Sequence, residues 1–582
     1  MTSAFVGRSR VQTALLSILF FASFAPAGAS DINLILYNGK IVTADAGFTI
    51  GQAMAVKGNR IEAVGSNDKI LGLKTDRTEL LDLQGKMVLP GMIDAHVHAC
   101  DTSMTEFDHP IPQMDSVADV LDYFGGRAKV LKDGQWIVLQ QVFITRLREQ
   151  RYPTRRELDA IAPQNPVVFR TGPDASLNTL ALKLSHIDKD FHVTDGGPGY
   201  AEKDPQTGEP TGILRGCNRC IAEQESEKTP SESDRYGRLL ALLKDYSSVG
   251  ITGICEGDAG EANLQLYQKM LDRGDLPVRV AAQYHIETIG PLERIQDQIR
   301  AVARHPLRKG GPMLRVIGIK NYLDGGMLTG SAYMRQPWGV SKVYAISDPN
   351  YRGVLFIPRD RLLPIVRTAT ECGLQYTAHT VGDGAVDALL DVYEEIDRTT
   401  PIKDLRHCIT HCNFMTPESI DKVSKLGVIP LVQPAWLYLD ARTLSTHFGY
   451  ERLRYFQPLR SIFAAGGIAA GGSDHMQKIG SLRSINPYNP FLAMGTAVTR
   501  TAKSYEGRLH PEEAISREQA IRFYTIYCAR ALFQDEYAGS LEPGKFADFI
   551  VLNSDLLTCP EDAIKDTQVL RTYLDGRLVF KR

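Results

Sequence analysis

The chain has 582 residues, 43% of them hydrophobic and 23% charged, with a formal net charge of −2. That length exceeds one small core and suits a large barrel with accessory domains, and the composition excludes a mainly disordered chain. The near balance of charge excludes a general pull toward nucleic acid or anionic membrane, so the expected partner is a small molecule, with a homo-oligomer left open.

Residues 1–29 read as a signal peptide. Arg8 and Arg10 give a positive start, Val11 to Phe24 is largely apolar, and Ala27-Gly28-Ala29 supplies the small residues of a cleavage site after Ala29. The apolar run contains Gln12, Thr13 and Ser17 and falls short of the ~20 residues a membrane span needs. No later segment is long and apolar enough to span, so no stable membrane anchor is expected. The mature protein is expected to be periplasmic or secreted. Position 30 is Ser, so no lipid-modified cysteine follows the cleavage point.

Leu34 to Tyr37, Lys40 to Thr43, Ala53 to Val56 and Arg60 to Val64 are short β-like runs between Gly and Asn-Gly punctuation. Phe549 to Leu552, Val569 to Leu574 and Leu578 to Phe580 form a comparable set at the other end. Two β-rich ends around a long middle predict one small sandwich domain built from both termini, covering 30–90 and 535–582. Between them, 91–534 alternates apolar strand-like runs with amphipathic helical stretches, which predicts a parallel α/β barrel. Residues 101 to about 235 fit that alternation poorly and are expected to be an inserted lid.

Nine cysteines are scattered along the chain, an odd count that is not a disulfide framework. Most are expected to be buried thiols. Cys217 and Cys220 have C-x-x-C spacing without a second pair, which leaves a local disulfide or two unlinked thiols ahead of a zinc ribbon or redox site.

The strongest local signal is Val88-Leu-Pro-Gly-Met-Ile-Asp-Ala-His-Val-His98. Strand alternation puts His96 and His98 on one face, where two imidazoles can hold one ion. Four later apolar runs also end in ligand types: one at Lys320, followed by Tyr322 and Asp324-Gly-Gly, and others at His379, His411 and Asp474. The C-terminal ends of parallel barrel strands open on one face, so residues far apart in sequence converge there. Taken singly, a strand-end His is often only hydrogen-bonded, Lys320 could be an ion-paired amine, and Asp474 could cap a helix. Of the other histidines, His407 lies on the same strand face as His411; the rest, His285 among them, read as surface or satisfied polar groups.

This ordered series resembles the amidohydrolase superfamily, within its family 3 group of YtcJ-like and N-substituted formamide deformylase-like hydrolases. Further marks are Tyr152-Pro-Thr-Arg-Arg-Glu-Leu-Asp159, Pro210-Thr-Gly-Ile-Leu214, Gly382-Asp383, Gln433-Pro434, Gly472-Ser-Asp474 and Gly539-Ser-Leu-Glu-Pro-Gly-Lys-Phe-Ala-Asp548. The resemblance implies a (β/α)8 barrel with His96, His98, His379, His411 and Asp474 as metal ligands. It also implies a Lys320 carboxylated to bridge two ions. There are departures from the family's pattern: Pro173 stands where many relatives have His, Thr410 where they commonly have Glu, and Asp383-Gly384 where Asp-Arg is frequent. They alter the expected substrate contacts and leave the ligand series whole.

The expected chemistry is hydrolysis of an amide or related C–N bond by water activated on one or two divalent ions. Zn2+ is favoured by imidazole and carboxylate ligands, and Asp474 acts as the base. Trp436 and Tyr322 are candidate substrate contacts. Rivals are a same-fold isomerase, decarboxylase or esterase, and an exported binding protein with a vestigial site.

Overall fold

The computed structural model describes residues 31–224 and 228–582; the signal peptide expected at 1–29 lies outside them. At its centre is an eight-stranded sheet with neighbouring strands in sequence order: Met92–Val97, Ile251–Ala259, Arg279–His285, Leu314–Tyr322, Gln375–Thr380, Cys408–His411, Ile429–Val432 and Ala470–Gly471. Every ladder in it is parallel. The chain beyond the eighth strand returns to the first, where the Asp474 N–H donates to the His96 carbonyl at 2.9 Å and the His98 N–H to the His475 carbonyl at 3.2 Å. These bonds close the ring into the expected barrel.

Two hydrophobic layers hold it. Inside, Ile93, Ala95, Cys255, Ala281, Ile317, Cys408, Leu431 and Ala470 pack with Cys528 and Ala529 from the helix Ile526–Ala531. Outside, helices lay apolar stripes on the strands. Leu292–Ala303 buries Ile295, Ile299 and Val302, a four-then-three spacing that keeps one helical face inward. All nine cysteines are free thiols, Cys217 and Cys220 included, and six of the nine are buried.

Both chain ends meet in one sandwich. A six-stranded sheet runs in the order Arg577–Lys581, Val569–Leu574, Phe549–Leu552, Met87–Pro90, Lys40–Val42 and Ile50–Gly51. A four-stranded sheet of Arg60–Gly65, Ala53–Lys57, Ile32–Tyr37 and Glu79–Asp82 faces it. Leu34, Leu36, Met54 and Val56 from the second sheet share a core with Val88, Phe549, Val551 and Tyr573 from the first.

Between the first and second barrel strands lies a five-stranded sheet: Tyr200–Lys203, Pro210–Arg215, Asp174–Leu177, Val167–Thr171 and Ile137–Gln140. A second excursion, not anticipated from sequence, runs from Leu323 to Pro358 between the fourth strand and the helix Arg359–Glu371. Buried Arg215 joins the two. Its guanidinium donates to the Thr329 carbonyl at 2.6 Å and to the Tyr344 carbonyl, and its charge is met by Glu202 at 2.6 Å and Asp174 at 3.7 Å. A guanidinium removed from water is stable only with such partners.

Candidate metal centre

His96 and His98 reach the barrel mouth because the first strand slips. Ile93 and Ala95 point into the barrel, but between Asp94 and Val97 the ladder to the second strand gains one residue. That extra residue resets the alternation, so His96 and His98 face the mouth. The strand ends at Val97, and His98 begins the turn into the helix Ala99–Met104.

The later candidates arrive at the ends of their own strands. Lys320 lies near the end of Leu314–Tyr322, His379 near the end of Gln375–Thr380, and His411 ends Cys408–His411. Asp474 follows the eighth strand, and no helix starts after it until Pro490, so the capping alternative does not apply. His411 and Asp474 have φ of +85° and +53°. Non-glycine residues pay about 1–3 kcal/mol for such backbone, which concentrates at functional sites.

Asp474 Oδ1 lies 3.4 Å from both His96 Nε2 and His98 Nε2. These three residues each present one donor atom within 4.8 Å of the others. Lys320 Nζ lies 3.4 Å from His96 Nε2. The His411 ring centroid is 5.4 Å from that of His96 and 4.6 Å from that of His379. All six flagged residues therefore converge at one end of the barrel.

Their electrostatics follow from burial. Burial, with the Lys320 charge beside it, pulls the His96 imidazole down to about 3. Burial likewise pulls His411 well below the usual histidine range. Neutral imidazoles are the form that binds metals. Burial opposes the Asp474 charge, but hydrogen bonds from His96 and His98 prevail and hold the carboxyl well below its ordinary value. Burial lowers Lys320 from the ordinary amine value against the pull of Asp258 and Asp474. No carboxylate among the described residues lies within ion-pairing distance of Lys320, so the ordinary ion-paired amine is not what is seen.

Supporting groups orient the ligand types. Gln433 Oε1 sits 2.9 Å from His411 Nδ1, and Asp324 Oδ1 is 3.3 Å from His379 Nδ1. Asp324 is itself fixed by the backbone N–H groups of Val381, Gly382 and Tyr333 at 2.9 to 3.0 Å. His96 Nδ1 is buried without a hydrogen bond. A set of imidazoles and a carboxylate this dense, with a neutral buried His96, fits a divalent cation.

A cavity of about 580 Å3 opens on the centre. Its walls include Phe143, Pro173, Asn218 and Arg219 from the insertion, and Met327, Leu328 and Thr329 from the second excursion. Trp436 lines it with its ring stacked on His411, centroids 4.8 Å apart and planes 19° apart. Tyr322 lines it too, but its hydroxyl donates to Asp258 at 2.7 Å, so it offers the cavity its ring.

His407 does not join the site. Its Nδ1 accepts the Tyr376 N–H at 3.0 Å, Nε2 meets Thr370 at 3.1 Å, and its ring stacks on Tyr393. Thr410 pairs with Thr377 at 2.8 Å. Sequence reasoning missed Asp258 and His285, both in the cavity wall. The strand-end rule that flagged Lys320 would have found them, since each lies at or near the end of an apolar run.

A family model described as the amidohydrolase family matches residues 79–580. The chain belongs to the amidohydrolase family. This makes it a hydrolase of the class acting on carbon–nitrogen bonds. The amidohydrolase is 28% identical over 566 residues to an N-substituted formamide deformylase of Arthrobacter pascens, covering 94% of this chain and 98% of that one. It is 27% identical to Protein LONG AFTER FAR-RED 3 of Arabidopsis thaliana over 96% of this chain and 93% of the relative. Among solved structures, an uncharacterised metal-dependent hydrolase from Pyrococcus horikoshii superposes with a TM-score of 0.64 at 22% identity, covering 91% of this chain and 99% of that chain.

Proposed function

We propose that this amidohydrolase is an exported enzyme that hydrolyses an amide or related C–N bond of a small molecule. The single observation carrying the reading is the convergence of His98, Lys320, His379, His411 and Asp474 on one cavity, with buried His96 directly behind them. Those six would hold one or two divalent cations, Zn2+ by donor type. The bound cation supplies Lewis acidity, lowering the pKa of water and polarising the scissile carbonyl.

The protein's own residues do the rest. Asp474, held anionic by its histidine neighbours, takes one proton from the attacking water and gives it to the departing nitrogen. The water oxygen bonds the carbonyl carbon, the C–N bond breaks, and the products are a carboxylic acid and an amine. Lys320, buried without a carboxylate partner, would take up carbon dioxide as its neutral amine, forming an N–C bond and releasing one proton to solvent, and its carbamate would offer anionic oxygens to a cation. Phe143, Met327, Leu328 and Trp436 pack the substrate's apolar portion. Export rests on the leader at 1–29 and places the enzyme in the periplasm or outside the cell.

The test is turnover of a panel of N-acyl amines by metal-loaded protein, with metal content measured on the same sample. His96→Ala and His98→Ala should lose metal and turnover while staying folded. Parental turnover in either variant with full metal content would remove these residues from the ligand set.

A further inference from the structure

Arg146 stands in the 3-10 turn Ile144–Arg146 of the insertion, just after cavity-lining Phe143. Its guanidinium bonds in two directions. Nε and Nη2 donate at 3.2 and 2.8 Å to Asp440, a buried carboxylate on the helix Pro434–Phe448. Nη1 donates to the Ile485 carbonyl and, at 3.2 Å, to Asn486 Oδ1. Both belong to the loop that runs from Asp474 to the helix Pro490–Thr499.

Asn486 is fully buried and carries this contact on to Asp474. Its Nδ2 donates to the Asp474 carbonyl at 2.7 Å and lies 3.5 Å from the carboxylate Oδ2. The other carboxylate oxygen, Oδ1, is the one beside His96 and His98. A guanidinium only donates, so Arg146 keeps the amide oxygen on its own side and turns the amide nitrogen toward Asp474. A flipped amide would set its oxygen against a carbonyl and a carboxylate, acceptor against acceptor. Asp474 has a φ of +53°, which persists only where its surroundings over-determine it. Its N–H is tied to the His96 carbonyl and its own carbonyl to Asn486, so both backbone groups are fixed.

We propose that Arg146, acting through Asn486, is a positioning residue for Asp474, so that the insertion completes the centre at the barrel mouth. This rests on the reading of Asp474 as metal ligand and base. The fork of an arginine suits the task, since two nitrogens serve Asp440 while the third serves Asn486, and a single ammonium cannot do both. Misplacing such a carboxylate costs rate more than substrate affinity.

The test compares the full chain in parental form with Asn486→Leu, Arg146→Lys, the double variant, Thr443→Val and Asp474→Asn. Arg146→Lys keeps a cation opposite Asp440, and Asn486→Leu leaves that ion pair intact, so both should fold. Thr443 is the control: it ties the same helix to the insertion through the Thr145 carbonyl at 2.9 Å, by a bond that bypasses Arg146 and Asn486. Two readouts are taken, kcat and KM on the best substrate of the panel and the visible absorption of Co2+-loaded protein, whose bands report ligand geometry. Asn486→Leu and Arg146→Lys should each lower kcat at least about tenfold, keep KM within about threefold and move the Co2+ bands. The double variant should lose no more than Asn486→Leu alone, because both residues act along one chain of contacts. Thr443→Val should match the parental protein in both readouts. Parental kcat or parental bands in either single variant, losses that multiply in the double variant, or equal impairment in Thr443→Val overturns the assignment. Asp474→Asn with parental kcat removes the reading of Asp474, and this inference with it. No turnover on the whole panel overturns the amide-hydrolysing reading and leaves the spectra to decide this one.

Discussion

Asp94 reaches across the seam of the barrel: its Oδ1 accepts the Ser473 N–H at 3.0 Å and the His96 N–H at 3.1 Å. One buried carboxyl thereby fixes the two segments that carry His96 and Asp474. Burial pushes it up to about 7 despite those bonds. Asp94→Ala should cost about 1–3 kcal/mol, because two backbone donors lose their acceptor. Metal affinity should fall about 10–100-fold as the ligands lose their orientation. Asp94→Asn keeps the oxygen and should lose much less. Chemical denaturation and metal titration measure both, and an alanine variant with parental values would remove Asp94 from any positioning role.

Asp474→Asn should lower kcat by at least about 100-fold, the usual scale for proton transfer. The fold should survive, since the asparagine is nearly isosteric. A loss below about tenfold, with metal retained, would leave proton transfer to another group.

Lys320→Ala should lose at least one metal ion along with activity. If the native side chain is a carbamate, acetate or propionate supplies oxygens of the same charge in the vacated space and partly restores both. A missing ammonium would not be replaced by an anion. Intact-mass measurement checks the carbamate directly; a bare, well-ordered amine beside a loaded and active centre would refute bridging.

His407 predicts a pH effect unconnected with catalysis. Burial pulls its folded value down to about 3. As pH falls below the ordinary histidine value, the unfolded chain takes up a proton that the folded chain refuses. Stability present above about 6.5 is then lost toward acid, by at most about 1.4 kcal/mol per pH unit. His407→Gln should show a smaller stability difference between about pH 7.5 and about pH 5 than the parental protein does. Equal differences would mean that the buried ring is protonated in the native state.

The ligand types were readable in sequence because strand ends in a parallel barrel share one face, so Lys320, His379, His411 and Asp474 needed only correct strand placement. The paired β-rich ends were readable from punctuation alone. His285 ends its strand and was within reach of the same rule, but its pairing was not legible: Asp258 is 27 residues away and is aimed by a bulge that leaves no local pattern. The excursion from Leu323 to Pro358 escaped because its anchors, Arg215 and Tyr152, belong to a different part of the chain. His407 was over-read, because sharing a strand face says nothing of which partners the ring meets.

The shared sandwich also sets a timetable. Met87–Pro90 is synthesised long before Phe549–Leu552, the strand that pairs with it antiparallel. Through most of translation that edge is an open template for any passing chain. Premature termination would therefore release more than a protein lacking its tail. It would release one with a standing invitation to aggregate, and chaperone demand should scale with how long the ribosome takes to reach Phe549–Leu552.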